Sequence, residues 1–152
     1  MPGGNKVGIR TSSIITTAQA VTSSTTLVNA TQLVFSVLAG TTWFLRFNIP
    51  FSTGAAGGAK FQIIAPAAPT QFMASWQLYL NGSPGTLADA AVQTTSASFA
   101  NALASAGNSL MTACAWIVAS AAGTVGLQFA QNSSNGTPVT LLVGGTMEVT
   151  QF

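Results

Sequence analysis

Apolar and polar residues alternate along several short stretches of this chain, which is the pattern of a β-strand with one buried face. The clearest stretch is Trp43–Ile49, in which every odd-numbered residue is large and apolar and the even-numbered residues are mostly polar. Phe72–Leu80 and Thr124–Gln131 alternate in the same way. The apolar faces of these stretches predict a core that contains Trp43, Leu45, Phe47, Trp76, Leu127 and Phe129.

Turn residues separate the remaining apolar runs. Two short runs between residues 26 and 38 are interrupted at Ala30 and Thr31, and Met111–Ala119 is an apolar run of strand length. Ser52–Ala59 consists of small residues and predicts a hairpin connection between neighbouring strands. About eight to ten short strands with this spacing indicate an all-β sandwich, barrel or jelly roll.

The stretch Thr86–Ser109 has no single pattern. Thr86 followed by Asp89 is compatible with the start of a short helix. Thr94–Phe99 is typical of a strand, and Ala100–Gly107 fits either a short helix or an alanine-rich loop.

The first twenty residues are polar, rich in glycine and threonine, and without apolar periodicity. We therefore divide the chain into an extended arm at 1–20 and a β-sandwich domain at 21–152. The arm contains Lys6 and Arg10, half of the four positive charges. It is either a flexible terminus or an arm that docks on a neighbouring subunit.

Charged residues make up 4% of the 152 residues, and the chain has no histidine. General acid–base catalysis usually needs histidine or paired carboxylates, and metal sites need clustered His, Cys, Asp or Glu. We therefore expect no enzyme activity, no cofactor and no metal, although a site shared across a symmetry axis by Asp89 or Glu148 is conceivable. Four basic residues against two acidic ones also do not suggest nucleic-acid binding.

Hydrophobic residues make up 48% of the chain, and mean hydropathy is +0.49. The most apolar stretch, Met111–Ala130, is too rich in alanine, glycine and threonine for a membrane span, and no signal peptide is evident. A chain with so little charge is expected to cover part of its apolar surface by association with itself. Phe44 lies on the more polar face of its strand, which is consistent with contact between that face and another copy. Cys114, the single cysteine, is expected to be a small buried hydrophobe.

The segment Thr25–Phe47 follows a recognisable order. A Thr-Thr-Leu-x-Asn opening leads to an apolar strand, then Ala-Gly-x-x-aromatic, then a strand carrying one arginine. Lys60-Phe-Gln, the strand ending near Gln131 and the closing Val139–Val149 segment agree with it in order. Over most of residues 24–152 the chain resembles structural proteins of tailed-bacteriophage virions. It departs from them in overall charge and at Gln131 and Asn132, near which those proteins carry an acid.

The resemblance implies a single-domain antiparallel β-sandwich of jelly-roll or tumour-necrosis-factor-like type that forms homotrimers on the virion. Such domains serve as capsid decoration (cement) proteins, which bind the major capsid protein, or as tips of tail fibres. We favour decoration, with Lys6 and Arg10 as the capsid-contact arm. The alternative is a receptor-binding tip that contacts host glycans, and a coat protein is a weaker third reading because no basic genome-packing arm is present.

Three side chains receive separate predictions. Arg46 is expected to pair with Glu148 or Asp89, between strands or between subunits. Tyr79 and Trp116 are the aromatic residues that a glycan-binding tip would use, but each lies within a strand pattern and is therefore expected to pack in the core.

Overall fold

The computed structural model describes residues 8–54, 56–81, 87–97, 99–101 and 107–152. Within these ranges the regular elements are all β-strands. In chain order they are β1 (Ile9–Ile14), β2 (Gln19–Val21), β3 (Val28–Val37), β4 (Thr42–Thr53), β5 (Ala59–Ile64), β6 (Gln71–Tyr79), β7 (Leu87–Gln93), β8 (Phe99–Asn101), β9 (Gly107–Val118), β10 (Gly123–Gln131), β11 (Val139–Leu141) and β12 (Thr146–Gln151).

The strands form two antiparallel sheets. The large sheet has the order β1-β12-β4-β9-β6-β7, and β11 and β2 extend it beside the second half of β4. The small sheet has the order β3-β10-β5-β8. Their facing sides enclose one apolar core, in which Phe51 of β4 meets Phe61 of β5 edge to face, with 5.1 Å between ring centroids. The chain is therefore an antiparallel β-sandwich.

The strand order is that of a jelly roll with an inserted hairpin. β1 and β2 pair in one continuous register with β12 and β11, so each pair acts as a single interrupted strand. With the β6–β7 hairpin set aside, eight strands remain in two sheets of four, which is the jelly-roll arrangement. The hairpin widens the large sheet beyond β9 by two strands.

Alternation along the long strands positions the core. In β4 the odd-numbered residues from Leu45 to Thr53 are buried and face the small sheet. Five of the six predicted core residues are almost fully buried: Leu45, Phe47, Trp76, Leu127 and Phe129. Trp43 is only partly buried, because it lies near the end of β4, where its indole N–H donates to Thr41 Oγ1 at 2.6 Å and its ring packs against Phe35.

Residues 9–21 belong to the sandwich, so the predicted boundary after residue 20 is wrong. Ile9–Ile14 forms a six-residue ladder with β12, and the boundary would cut β2. Side-chain amides reinforce this attachment: Gln32 accepts from the backbone N–H groups of Thr16 and Thr17 at 3.1 and 3.2 Å. Polar strands of this kind lack the alternation of apolar residues that predicts a core strand. Lys6, the other charged residue of the predicted arm, lies outside the described residues.

Four local predictions also need correction. The two runs between residues 26 and 38 form one strand, β3. The Ser52–Ala59 loop is not a hairpin connection, since β4 and β5 lie in different sheets. Residues 87–93 form β7 rather than a helix, and 94–96 are bends rather than strand. Thr86 and most of 100–107 fall outside the described residues.

Candidate interaction surface

The outer face is the side of the large sheet that points away from the small sheet. Since the odd-numbered residues of β4 and β9 are buried, the even-numbered ones project outward, and in β6 the outward residues are odd-numbered. Register places Glu148, Arg46, Cys114 and Ser75 side by side on this face. Half-buried Cys114 is thus not the buried hydrophobe that was expected.

The centre of the outer face is polar. Arg46 and Glu148 are direct cross-strand partners in the β4–β12 ladder, an arrangement that places Cα atoms about 5.5 Å apart or closer. The predicted ion pair between their side chains remains a prediction. Beside them is an open depression of about 480 Å³, lined by Arg46, Phe47, Asn48, Ser75, Gln77, Thr112, Ala113, Cys114, Thr146 and Glu148.

Arg10 joins this polar centre from the sheet edge. It lies on β1 opposite Thr150, and with Phe44, Arg46 and Glu148 it lines a second depression of about 320 Å³. Three of the four charged side chains that the structure describes therefore lie on one face. Asp89 pairs with Leu78 through the β6–β7 ladder, and its side chain lies outside the described part of the chain.

One end of the outer face is an aromatic cluster of Phe44, Trp116 and Phe152. The ring centroids of Phe44 and Trp116 are 6.3 Å apart, and those of Trp116 and Phe152 are 5.3 Å apart. Met73, the cross-strand partner of Trp116, is 49% exposed, and Phe152 is 51% exposed. These side chains form an apolar patch on the solvent side of the sheet, where contact with another molecule would remove it from water.

The expectation that Trp116 and Tyr79 pack in the core is wrong. Both project from the outer face, and the Tyr79 hydroxyl contacts Gln77 Oε1 at 3.3 Å. The apolar run in β9 does not reveal which of its faces is internal, and Tyr79 falls at the end of the β6 alternation. The aromatic cluster as a unit was not predicted, because Phe44 in β4, Trp116 in β9 and Phe152 just after β12 are distant in sequence.

Gln131 is a buried polar centre at the end of β10, a strand of the small sheet. Its side chain is 0% exposed and fully hydrogen-bonded. The amide oxygen accepts from the backbone N–H groups of Ser24 and Asn135, and the amide nitrogen donates to the carbonyl oxygens of Asn135 and Thr137 at 2.9 and 2.7 Å. A carboxylate could not make the last two bonds, so a neutral amide is required here.

The described residues include no helix long and apolar enough to cross a bilayer. They also include no group of three or more His, Cys, Asp or Glu side chains placed to hold a metal ion.

Comparison with known proteins gives few matches. No protein-family profile and no curated protein matches the chain. Two similar solved structures are of infectious bursal disease virus. The Gx strain structure is 9% identical with a TM-score of 0.23, and the match covers 96% of this chain and 36% of that one. The Gt strain structure is 10% identical with a TM-score of 0.24, covering 96% and 42%. The chain thus spans less than half the length of either, and likeness at this level carries no argument about function.

Proposed function

We propose that this protein is a non-catalytic structural protein of a virion, assembled as a homotrimer through the outer face of the large sheet. The aromatic cluster of Phe44, Trp116 and Phe152 is the observation that supports this proposal. Aromatic side chains exposed on a sheet face are stabilised when a second apolar surface covers them. The number three comes from the resemblance to phage virion proteins, and no distance within the chain determines it.

The outer face is chemically suited to a second copy of itself. It combines the apolar patch with a polar centre that carries both signs of charge, in Arg10, Arg46 and Glu148. In a cyclic trimer each contact joins two different parts of the face. An arginine of one copy then meets Glu148 of the next, while the apolar patches exclude water.

The proposed role of the trimer is capsid decoration. A protein that binds only the assembled shell stabilises that shell by mass action. Arg10, at the sheet edge, and Lys6 supply positive charge for an acidic shell surface. The partner in this proposal is the major capsid protein, and the location is the outer surface of the virion.

Light scattering on the purified chain tests the trimer. We expect a number of copies divisible by three for the wild type, and a folded protein that has lost this threefold association for Phe152→Asp or Met73→Asp, because a charge would be buried in the contact. Val143→Asp is the matched control, since Val143 is an exposed apolar residue of the β11–β12 turn. A monomeric wild type, or an oligomer that both outer-face variants leave intact, overturns the proposal.

Cys114 provides an independent readout at the centre of the same face. As the single thiol of the chain, it reports the cover of that face through its rate of maleimide labelling. Labelling is expected to be slow in the wild type and fast in Phe152→Asp, with Val143→Asp like the wild type. Equal rates in all three would contradict burial of the outer face.

A tail-fibre tip that binds host glycans is the second candidate function. The outward positions of Tyr79 and Trp116 favour it, because aromatic rings at a surface can stack on sugars. Shell binding separates the two functions. A decoration protein binds preassembled capsids and raises their melting temperature, whereas a tip binds cells or glycan arrays and leaves capsids unchanged.

A further inference from the structure

Strand β1 ends the large sheet and presents backbone groups with no partner among the described residues. The Ile15 N–H donates to Gly145 O at 2.8 Å, so the backbone of Ile15 faces the neighbouring strand. Backbone direction alternates along a strand. The N–H and C=O groups of Arg10, Ser12 and Ile14 therefore point away from β12, along the edge of the sheet.

The small sheet protects its long edge strand in a way that β1 does not share. Along β3, Gln19 donates to Asn29 O at 2.8 Å and accepts from the Thr31 N–H at 2.9 Å, so a side-chain amide replaces a neighbouring strand. Ile9–Ile14 has no proline and no bulge, and no side-chain amide of the described residues bonds to it in this way. Ile9 and Ile14 are 69% and 53% exposed. Natural proteins usually block an edge of this kind, because it can pair with another chain.

We propose that β1 pairs in antiparallel register with β1 of a second copy, about a twofold axis at Ser12. This register places Arg10 of each copy opposite Ile14 of the other. All three outward-facing residues then lie in hydrogen-bonded pairs, each exchanging two backbone hydrogen bonds. The aliphatic part of each arginine covers an exposed isoleucine.

The sequence of the strand favours this register over its neighbours. An axis at Arg10 would place two arginines directly opposite each other, and like charges in that position are destabilising. An axis at Ile14 would place Arg10 beyond the end of the partner strand and leave Ser12 without its pair. This edge contact does not rest on the proposed trimer, because it uses the edge of the sheet and the trimer uses its face.

The stoichiometry in solution separates the two contacts. Both together give six copies, the edge contact alone gives two, and the trimer alone gives three. Ser12→Pro removes an outward N–H while keeping every bond to β12, and it is expected to halve the number of copies. Ser13→Pro is the matched control, since it removes an inward N–H and should lower the melting temperature instead.

A charge exchange tests the register without proline. Ile14→Arg places like charges opposite each other at two symmetric positions and is expected to weaken the edge contact about tenfold. Adding Arg10→Asp restores opposite charges and is expected to recover the wild-type constant. Three copies or one copy in the wild type overturns the proposal. The proposal is also overturned if Ser12→Pro loses shell binding while its number of copies stays unchanged. That result would mean that β1 pairs with a strand of the shell protein.

Hydrogen exchange provides a residue-level readout of the same contact. The amides at positions 12 and 14 are expected to be protected in the wild type at high protein concentration and to exchange faster in Ile14→Arg at the same concentration. The amide of Ser13, bonded within the chain, should stay protected in both. Rapid exchange at Ser12 and Ile14 in the wild-type assembly would exclude the β1 ladder.

Discussion

Replacing the buried amide of Gln131 by a carboxylate in Gln131→Glu tests whether a neutral donor is required at the end of β10. The substitution keeps the shape of the side chain and its two acceptor contacts to Ser24 and Asn135. It converts the donor nitrogen, 2.9 and 2.7 Å from two carbonyl oxygens, into an oxygen that repels them. The site is 0% exposed, so water cannot compensate directly.

The expected loss follows from the two bonds that disappear. The two carbonyl oxygens lose their donor in a part-buried site, and each such loss costs about 1–3 kcal/mol. Together with the charge, this predicts a loss of about 4 kcal/mol in the free energy of unfolding at pH 7. Burial raises the pKa of the introduced carboxyl. The folded state of the variant therefore keeps its proton to higher pH than the unfolded state, whose glutamate ionises at about pH 4.3. The loss should accordingly be smallest below that pH and grow as pH rises.

Urea unfolding at pH 4 and pH 7, followed by tryptophan fluorescence, measures this difference. Gln128→Glu is the matched control, because Gln128 lies in the same strand, is only partly buried, and donates to Asn29 Oδ1 at 2.9 Å. It should lose less than about 1 kcal/mol. If Gln131→Glu is no less stable than this control, or if its loss does not change with pH, the requirement for a buried neutral donor is refuted.

Three further experiments test the fold and the outer face. Gly126→Ala should lose about 3 kcal/mol by thermal unfolding, because Gly126 has φ +153° and its added Cβ would clash with the Leu33 carbonyl. Trp43→Ala should lose about 2 kcal/mol in urea, below the ~3–5 kcal/mol of a fully buried tryptophan, and a larger loss would contradict its partial burial. A double-mutant cycle of Arg46→Ala and Glu148→Ala should give a coupling of about 0.5 kcal/mol in a monomeric background and more in the oligomer, whereas no coupling in either would exclude the ion pair.

Alternation was sufficient to predict the central strands and their inward faces. In β4 the polar residues Arg46 and Asn48 fall between large apolar ones, so the period of two is visible and fixes which face is buried. The same holds for Trp76 in β6. These strands are buried on one side and partly solvated on the other, and that asymmetry is what a sequence records most directly.

Sheet membership was not predictable from turns. The glycines of Ser52–Ala59 indicate a change of direction, but the same residues suit a hairpin and a crossing between sheets. β1 was missed for a different reason. Its burial is low throughout, and its position depends on backbone bonds to β12 and on the amide of Gln32, neither of which needs an apolar residue.

Cys114 and Trp116, which were wrongly predicted to be buried, both lie in β9 and both face the proposed interface. The inward residues of β9, such as Met111 and Ile117, are buried, and after Thr112 the outward residues are Cys114, Trp116 and Val118, so no polar position marks the outer side of this half of the strand. A continuous apolar run is typical of a strand covered on both faces. In the single chain only the inner face of β9 is covered by the small sheet. The apolar run of β9, which predicted a core position for Trp116, is therefore the sequence feature expected if a second copy covers the outer face. Slow labelling of Cys114 would show that this face is covered, and the cover would explain why the outward side of β9 is apolar.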